Sequence, residues 1–385
     1  MVVSRLKDIP GIGVNVVGDR ADAARDPELL RMENLDTDVP PPRIAVEVTR
    51  EAIGQDAANS YLPFEGHHDL RRAAAAHVGR LAGLDYDPGT ECVSVAGGLN
   101  GILNSLLAVV EPGREVVLSD PIYAGLINRV RLAGGVPRHV RATPTPGGWR
   151  TDPGELAAAV GPRTAAVLLM GPAMPTGAVL EPAHLDALAA PVREHGAWVL
   201  YDAAMERIRF DGRPPLHPAS HPGLADRVVT IGSAAKELRM IGWRVGWVVG
   251  PAPILADIAL VGLTNVVCQV GIAQQGVAAA LAADDADADV ARAVTTWRTR
   301  CETVLRQLDG YPVVRPDGGW SLLVDVAELG LSAAEASARL FDRGRVAATP
   351  MTGWGPSADR YLRLVFANEP VERLQDLGAR FAAAF

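Results

Sequence analysis

The chain of 385 residues has little cysteine, no long apolar run and no excess of positive charge. Its three cysteines, Cys92, Cys268 and Cys301, are too far apart to form a metal-binding motif. An odd number of cysteines without a secretory segment favours a reducing, cytoplasmic location. The net charge of −8 argues against nucleic acid as a general partner. Apolar runs such as residues 165–170 have the length of a strand and are too short to cross a membrane.

Between about residues 92 and 250, short apolar runs alternate with amphipathic segments. The runs are rich in β-branched residues and lack polar alternation, which is typical of strands buried on both faces. This pattern predicts an α/β fold with a mostly parallel central sheet and helices on both faces. The predicted strands are residues 92–95, 115–118, 164–170, 197–201, 228–231 and 245–249.

We expect three segments along the chain. Residues 1–45 form an N-terminal arm that joins the smaller domain, and residues 46–285 form a large ligand-binding domain. Residues 286–385 form a smaller α/β domain that begins with a long helix. Because parallel sheets bind ligands beyond the carboxyl ends of their strands, the loops at those ends are the candidate site.

Lys236 follows the segment Ser233-Ala-Ala and precedes Gly242-Trp-Arg244. A lysine amine becomes a covalent catalyst when desolvation and neighbouring positive charge lower its pKa. Ser233 and Arg244 are residue types that bind a phosphate dianion, through a hydroxyl group and a guanidinium fork. The segment therefore indicates a pyridoxal phosphate site, and the alternative is a surface lysine near a structural arginine.

Several segments between Asp38-Val-Pro and Arg363, taken in order, resemble the fold type I pyridoxal phosphate enzymes, specifically the class I/II aminotransferase family. The resemblance implies an aminotransferase that acts on an amino acid, with a keto acid as co-substrate. In that reaction Lys236 forms an imine with the cofactor and then moves a proton between the substrate Cα and the cofactor.

The resemblance also assigns cofactor contacts. Gly98 and Leu99, at a strand-to-helix turn, would donate backbone N–H groups to the phosphate. Tyr123 would stack on the pyridine ring. Asp202 would face the pyridine nitrogen and keep it protonated, which makes the ring an electron sink for the carbanion at the substrate Cα.

Substrate and subunit contacts are implied in the same way. Arg363 resembles the arginine that binds the substrate α-carboxylate through a bidentate fork. Trp320 and Trp354 lie in loops similar to two substrate-side loops, either as pocket walls or as core residues. Tyr61 resembles a tyrosine that reaches the phosphate of the neighbouring subunit's cofactor, which implies a homodimer with composite active sites.

The chain departs from the family pattern at Met174 and Met205. The family usually has an asparagine at the first position and commonly a tyrosine at the second, and both donate a hydrogen bond to the cofactor's phenolic oxygen. A thioether cannot donate one. We therefore expect a more basic phenolate, and an imine at Lys236 that stays protonated to unusually high pH.

This departure leaves other reactions open, because enzymes of this fold also carry out elimination, replacement and cyclisation in specialised pathways. A non-catalytic cofactor-binding module is less favoured, since Lys236 is present. No second arginine can be assigned to a dicarboxylate substrate. Three residues near the N-terminus are acidic and could bind a cationic side chain of the substrate, although such runs are more often solvated. They are Glu33, Asp36 and Asp38.

Overall fold

The computed structural model describes residues 6–11 and 13–385. In this part of the chain the strands are β1 (Leu30–Arg31), β2 (Cys92–Val95), β3 (Glu115–Asp120), β4 (Val136–Thr145), β5 (Gly148–Thr151), β6 (Thr164–Met170), β7 (Trp198–Asp202), β8 (Val228–Ser233), β9 (Gly246–Val249), β10 (Val313–Val314), β11 (Ser321–Asp325), β12 (Val346–Ala347), β13 (Thr349–Pro350) and β14 (Tyr361–Val365).

The helices lie between and around these strands. They are α1 (Val14–Ala24), α2 (Arg43–Ile53), α3 (Asp56–Asn59), α4 (His68–Ala82), α5 (Gly98–Val109), α6 (Ala124–Leu132), α7 (Pro153–Ala158), α8 (Pro182–His195), α9 (Ala252–Asn265), α10 (Gly271–Ala282), α11 (Ala286–Gln307), α12 (Ala333–Gly344), α13 (Val371–Leu374) and α14 (Leu377–Ala384). Within the described ranges, no helix is both long enough and apolar enough to cross a membrane.

The central sheet has eight strands in the order β2-β9-β8-β7-β6-β3-β4-β5. The five strands from β8 to β4 are parallel, whereas β9 runs antiparallel to both its neighbours and β5 pairs antiparallel with β4. All residues of β8 and nearly all of β6 and β7 are buried, because helices cover both faces of the sheet. The predicted fold class is confirmed.

A smaller antiparallel sheet has the order β10-β11-β14-β13. Strand β1 of the N-terminal arm pairs in parallel with β12, so the arm is joined to the C-terminal part of the chain. The 22-residue helix α11 begins at Ala286 and packs Trp297 against Trp320, with 5.0 Å between the ring centres. These features support domain boundaries near residues 45 and 285, which stay a prediction.

Candidate active site

A cavity of about 280 Å³ opens beyond the carboxyl ends of the central parallel strands. The last residues of β6, β7 and β8, namely Met170, Asp202 and Ser233, line it. Parallel sheets bind their ligands at this edge. The predicted site residues that line the cavity are Gly98, Leu99, Tyr123, Met174, Asp202, Met205, Ser233, Lys236, Arg244 and Arg363.

One end of the cavity is built to receive an anion. Gly97 has a φ of +81°, and helix α5 begins at the next residue, so the free N–H groups of its first turn lie beside Ser233 and Arg244. A Cβ atom at Gly97 would lie only 2.5 Å from Nη2 of Arg244. Arg244 donates to the carbonyl of Ile241 over 2.8 Å and forms no ion pair with any described residue. A phosphate fits this unpaired positive end.

The amine of Lys236 lies at the floor of the cavity. Its Nζ atom donates a hydrogen bond to the backbone carbonyl of Leu35 over 2.7 Å and lies 4.7 Å from the centre of the Trp320 ring. Neither partner is a carboxylate, so neither holds the amine in an ion pair. The amine is therefore free to react when it loses its proton.

Burial lowers the pKa of Lys236 to about 7. The carboxylates of Asp36 and Asp202 act to raise this pKa, and the guanidinium groups of Arg363 and Arg244 act to lower it. A large fraction of the amine is consequently uncharged at neutral pH, whereas an ordinary lysine, with a pKa near 10.4, is almost fully charged there. A buried amine with a lowered pKa supports the sequence-based prediction of an activated lysine, and the role of Lys236 stays a prediction.

Asp202 is a buried carboxylate, 5% exposed, whose Oδ1 accepts a hydrogen bond from the N–H group of Ala204 over 3.1 Å. Burial raises its pKa to about 6, against the effects of that hydrogen bond, Lys236 and Arg129. Within the described residues it forms no ion pair. A buried carboxylate without a cationic partner gains stability from a protonated ring nitrogen beside it.

Arg363 is the buried cation of the cavity, 1% exposed. Its Nη2 atom donates to the carbonyl of Glu33 and to Oγ1 of Thr349, and Nη1 lies 3.8 Å from the sulfur of Met174. The guanidinium carbon lies 4.8 Å from the centre of the Trp354 ring. Burial lowers its pKa to about 10, so the group is charged at neutral pH. Among the described residues its Nε atom has no hydrogen-bond partner, and the site suits a carboxylate ligand.

Three methionine residues line the cavity. Met174 and Met205 are 7% and 4% exposed, and Met170 completes the set. The N–H group of Met174 donates to the sulfur of Met170 over 3.0 Å. The two positions where the family usually has donors thus carry thioethers that face the cavity, and these sulfurs only accept hydrogen bonds.

Four aromatic residues predicted for the site differ in position. Tyr123 lines the cavity, and its ring meets the edge of Trp354 at a centre distance of 5.3 Å. Trp354 and Trp320 are buried behind the cavity lining and contact residues that form it. Tyr61 is 82% exposed and lies outside the cavity.

Sequence reasoning did not find every lining residue. Ala204, Ala235 and Ile241 lie next to predicted residues, and Met170 ends a predicted strand, whereas Val14 and Asn15 come from a segment that carried no motif. The additional lining residues are Val14, Asn15, Leu35, Met170, Ala204, Ala235 and Ile241. No described part of the chain groups three or more His, Cys, Asp or Glu side chains in a way that would hold a metal ion.

The chain is similar to known aminotransferases in sequence and in structure. The family model described as aminotransferase class I and II matches residues 31–381. The chain is 35% identical over 322 residues to a probable N-succinyldiaminopimelate aminotransferase of Mycobacterium tuberculosis, which covers 83% of this chain and 80% of that protein. It is 33% identical over 350 residues to an arginine–pyruvate transaminase of Pseudomonas aeruginosa, which covers 89% and 86%. The structure of aspartate aminotransferase from Thermus thermophilus with maleate matches with a TM-score of 0.93, 29% identity and 100% coverage of both chains.

Proposed function

Because the chain belongs to the class I and II aminotransferase family, we propose that Lys236, Asp202 and Arg244 hold pyridoxal phosphate for transamination. The protein is a pyridoxal phosphate-dependent aminotransferase. When bound, this cofactor supplies an aldehyde and an electron-withdrawing ring, which allow an amino group to pass from an amino acid to a keto acid. The roles of individual residues follow from the contacts in the cavity.

The cofactor phosphate is assigned to the anion-binding end. Arg244 and the Ser233 hydroxyl group bind it together with the N–H groups of Gly98 and Leu99 at the first turn of α5. Asp202 would hold the ring nitrogen of the bound cofactor, and its negative charge would keep that nitrogen protonated. Within the described residues neither Arg244 nor Asp202 forms an ion pair with another side chain, and this supports the assignment.

Lys236 is assigned the proton transfers at the substrate Cα. A base works best when its pKa lies near the operating pH, and burial places the pKa of this amine at about 7. Arg363 holds the substrate carboxylate, which fixes the Cα–H bond relative to the Lys236 amine. One arrangement carries the proposal: the buried guanidinium of Arg363, which has no acidic partner among the described residues, and a lysine of lowered pKa line one cavity.

We further propose a homodimer in which Tyr61 reaches the cofactor phosphate of the partner subunit. Tyr61 is 82% exposed, and Phe64, Leu260 and Leu263 nearby are 51%, 61% and 38% exposed. The last three line a common apolar groove, and such surfaces are usually covered by a partner. The amino-acid and keto-acid substrates belong to the family reaction, and a cytoplasmic location is proposed from the free thiol of every cysteine.

A labelling experiment tests the role of Lys236. The chain contains two lysines, Lys7 and Lys236. Borohydride reduction of the holoenzyme should fix the cofactor to the peptide that contains Lys236, as read by mass spectrometry. Lys7→Arg should leave the labelling unchanged, whereas Lys236→Ala should abolish it. Labelling of Lys7 alone would contradict the assignment.

A product assay tests the reaction. The holoenzyme is incubated with an amino acid and pyruvate, and keto acid, alanine and ammonia are measured. Transamination yields keto acid and alanine in equal amounts, and Lys236→Ala should lower the rate by at least about 10⁴-fold. Release of ammonia without alanine would instead indicate elimination.

A further inference from the structure

Arg363 holds the substrate carboxylate in the proposed function, on which this inference rests, and few hydrogen bonds orient its guanidinium group. Its Nη2 atom carries two hydrogens in the plane of that group. Nη2 donates to the backbone carbonyl of Glu33 and, over 3.3 Å, to Oγ1 of Thr349. Nη1 lies 3.8 Å from the sulfur of Met174, which is a weak acceptor. Among the described residues, the two oxygen atoms are therefore the acceptors that fix the guanidinium plane.

Thr349 lies directly opposite Arg363 on the neighbouring strand. Strand β13 pairs antiparallel with β14, and the register places the two residues side by side. Residues opposite each other in an antiparallel pair point to the same face of the sheet, with Cβ atoms about 4.5–5.5 Å apart. The strand pairing thus brings the Thr349 hydroxyl group to the guanidinium group. Thr349 is 0% exposed and Arg363 is 1% exposed within one chain, so their contact does not depend on a partner subunit.

The Thr349 hydroxyl group also binds the second anchor of Arg363. It donates its one hydrogen to the carbonyl of Glu33 over 2.8 Å, which leaves its lone pairs to accept from Nη2. The hydroxyl, the carbonyl and Nη2 are therefore joined by three hydrogen bonds. Loss of the hydroxyl group removes two of the three.

The carbonyl of Glu33 is held in place by the main chain of the arm. The N–H group of Met32 donates to the carbonyl of Ala347 over 3.1 Å, and the N–H group of Val365 donates to the carbonyl of Met32 over 2.8 Å. The residue before Glu33 is thus tied to β12 and to β14. The carboxylate of Glu33 accepts a hydrogen bond from Nε of Arg31 over 2.7 Å, so it is the backbone of Glu33 that binds Arg363.

Neither of these two anchors of Arg363 carries a negative charge. A carboxylate in their place would neutralise the guanidinium group and compete with the carboxylate of the substrate. A hydroxyl and a carbonyl orient the group and leave its charge for the ligand. Thr349 does not line the cavity, so it acts through Arg363. We propose that Thr349 is a positioning residue, whose hydroxyl group holds the Arg363 guanidinium in the orientation that binds the substrate carboxylate.

Two aminooxy compounds test the proposal on the holoenzyme. Aminooxyacetate carries a carboxylate, and methoxyamine does not. In both, the aminooxy nitrogen replaces the Lys236 nitrogen at the imine carbon of the cofactor, so an oxime forms and the Lys236 amine is released. Stopped-flow absorbance gives the second-order rate constant of each, and the rate constant for aminooxyacetate divided by that for methoxyamine isolates the effect of the carboxylate.

Thr349→Val keeps the shape of the side chain and removes its hydroxyl group. We expect this variant to lower the ratio of the two rate constants by at least about 10-fold, because a hydrogen bond to a charged group is lost. Thr349→Ala repeats the test if the valine variant fails to fold. An unchanged ratio in a folded variant would overturn the proposal, since a general disturbance of the site slows both compounds alike.

Two further variants separate orientation from packing. Thr349→Ser keeps the hydroxyl group and should return the ratio to the wild-type value. Ser337→Ala removes another buried hydroxyl group, which donates to the carbonyl of Ala348 over 2.8 Å rather than bonding to Arg363, and should leave the ratio unchanged. A ratio that stays low in Thr349→Ser, or that falls equally in Ser337→Ala, would overturn the proposal.

Arg363→Met separates this inference from the proposed function. This variant should lower the same ratio at least as far as Thr349→Val does. An unchanged ratio in Arg363→Met would contradict the role of Arg363 in the proposed function, and this inference with it. A lowered ratio in Arg363→Met together with an unchanged ratio in Thr349→Val would overturn the inference alone.

Discussion

At the scale of single residues, Lys236 is distinguished by its surroundings and by its rarity. The 37 basic residues of the chain include only two lysines. A guanidinium group keeps its proton at any physiological pH, so an arginine could not replace the reactive amine. Ser233 and Arg244, close to Lys236 in the sequence, indicated a phosphate site beside it. The hydrogen bond from Lys236 to Leu35, 201 residues away, depends on the fold.

The lowered pKa of Lys236 predicts the pH dependence of cofactor uptake. Because only the uncharged amine reacts with the aldehyde, the rate at which apoenzyme takes up pyridoxal phosphate should rise with pH through about 7 and level off above it. Stopped-flow absorbance measures this rate. Arg363→Met removes a cation that lowers the pKa, so its midpoint should move to higher pH. A wild-type rate that still rises at pH 10, the range of an ordinary lysine, would contradict the prediction.

Met174 and Met205 predict how the visible absorbance of the holoenzyme depends on pH. Without a donor from Met174 or Met205, the phenolic oxygen stays basic and the imine at Lys236 keeps its proton, so the pKa of the visible chromophore should lie above neutrality. Met174→Asn with Met205→Tyr should lower that pKa by about 1–2 units, the value of one strong hydrogen bond to a charged group. Met351→Leu, at a buried methionine that does not line the cavity, is the control. A wild-type chromophore pKa below 7 would contradict the hypothesis.

At the scale of elements, the buried strands of the central sheet were predicted well. Strand β6 has the bounds that the sequence indicated, because its apolar run ends at clear turn signals. The hairpin of β4 and β5 was missed, since β4 lies near the sheet edge and alternates between exposed and buried residues. The strand-to-helix turn at Gly98 and Leu99 was predicted from the sequence. Its proximity to Arg244, far away in the sequence, was found only in the structure.

At the turn before α5, a methyl group added to Gly97 should weaken the binding of the cofactor. Gly97→Ala places a Cβ atom 2.5 Å from Nη2 of Arg244, so we expect the affinity for pyridoxal phosphate to fall by at least about 10-fold, as measured by equilibrium dialysis of the apoenzyme. Gly113→Ala is the matched control, because Gly113 has a similar φ of +84° and a Cβ atom there would meet no described atom within 4 Å. Both glycines have a positive φ, so an alanine at either position strains the backbone. Equal affinities in the two variants would contradict the contact.

At the scale of the whole molecule, the active site draws on both ends of the chain. The arm supplies Val14 and Leu35, the central sheet supplies Asp202 and Lys236, and the C-terminal part supplies Arg363. Pairing of β1 with β12 attaches the arm to the C-terminal part.

The composite dimer predicts complementation between two impaired variants. Lys236→Ala removes the reactive amine, and Tyr61→Ala removes the proposed contact with the partner's cofactor. A mixed dimer has one site in which both residues are intact, so refolding equal amounts together should restore about a quarter of wild-type activity at limiting cofactor. Each variant refolded alone is the control. No recovery despite mixed dimers, detected by mass spectrometry, would contradict a composite site.

The sequence by itself determined the fold class, the family resemblance and ten of the residues that line the cavity. These follow from local patterns: apolar runs, strand-end turns and short motifs in a fixed order. Only the tertiary structure decided which aliphatic side chains complete the lining, because Val14, Leu35 and Ile241 are far apart in the sequence and come together only in the fold. It also decided the charge state of Lys236, since desolvation depends on what surrounds an amine in space.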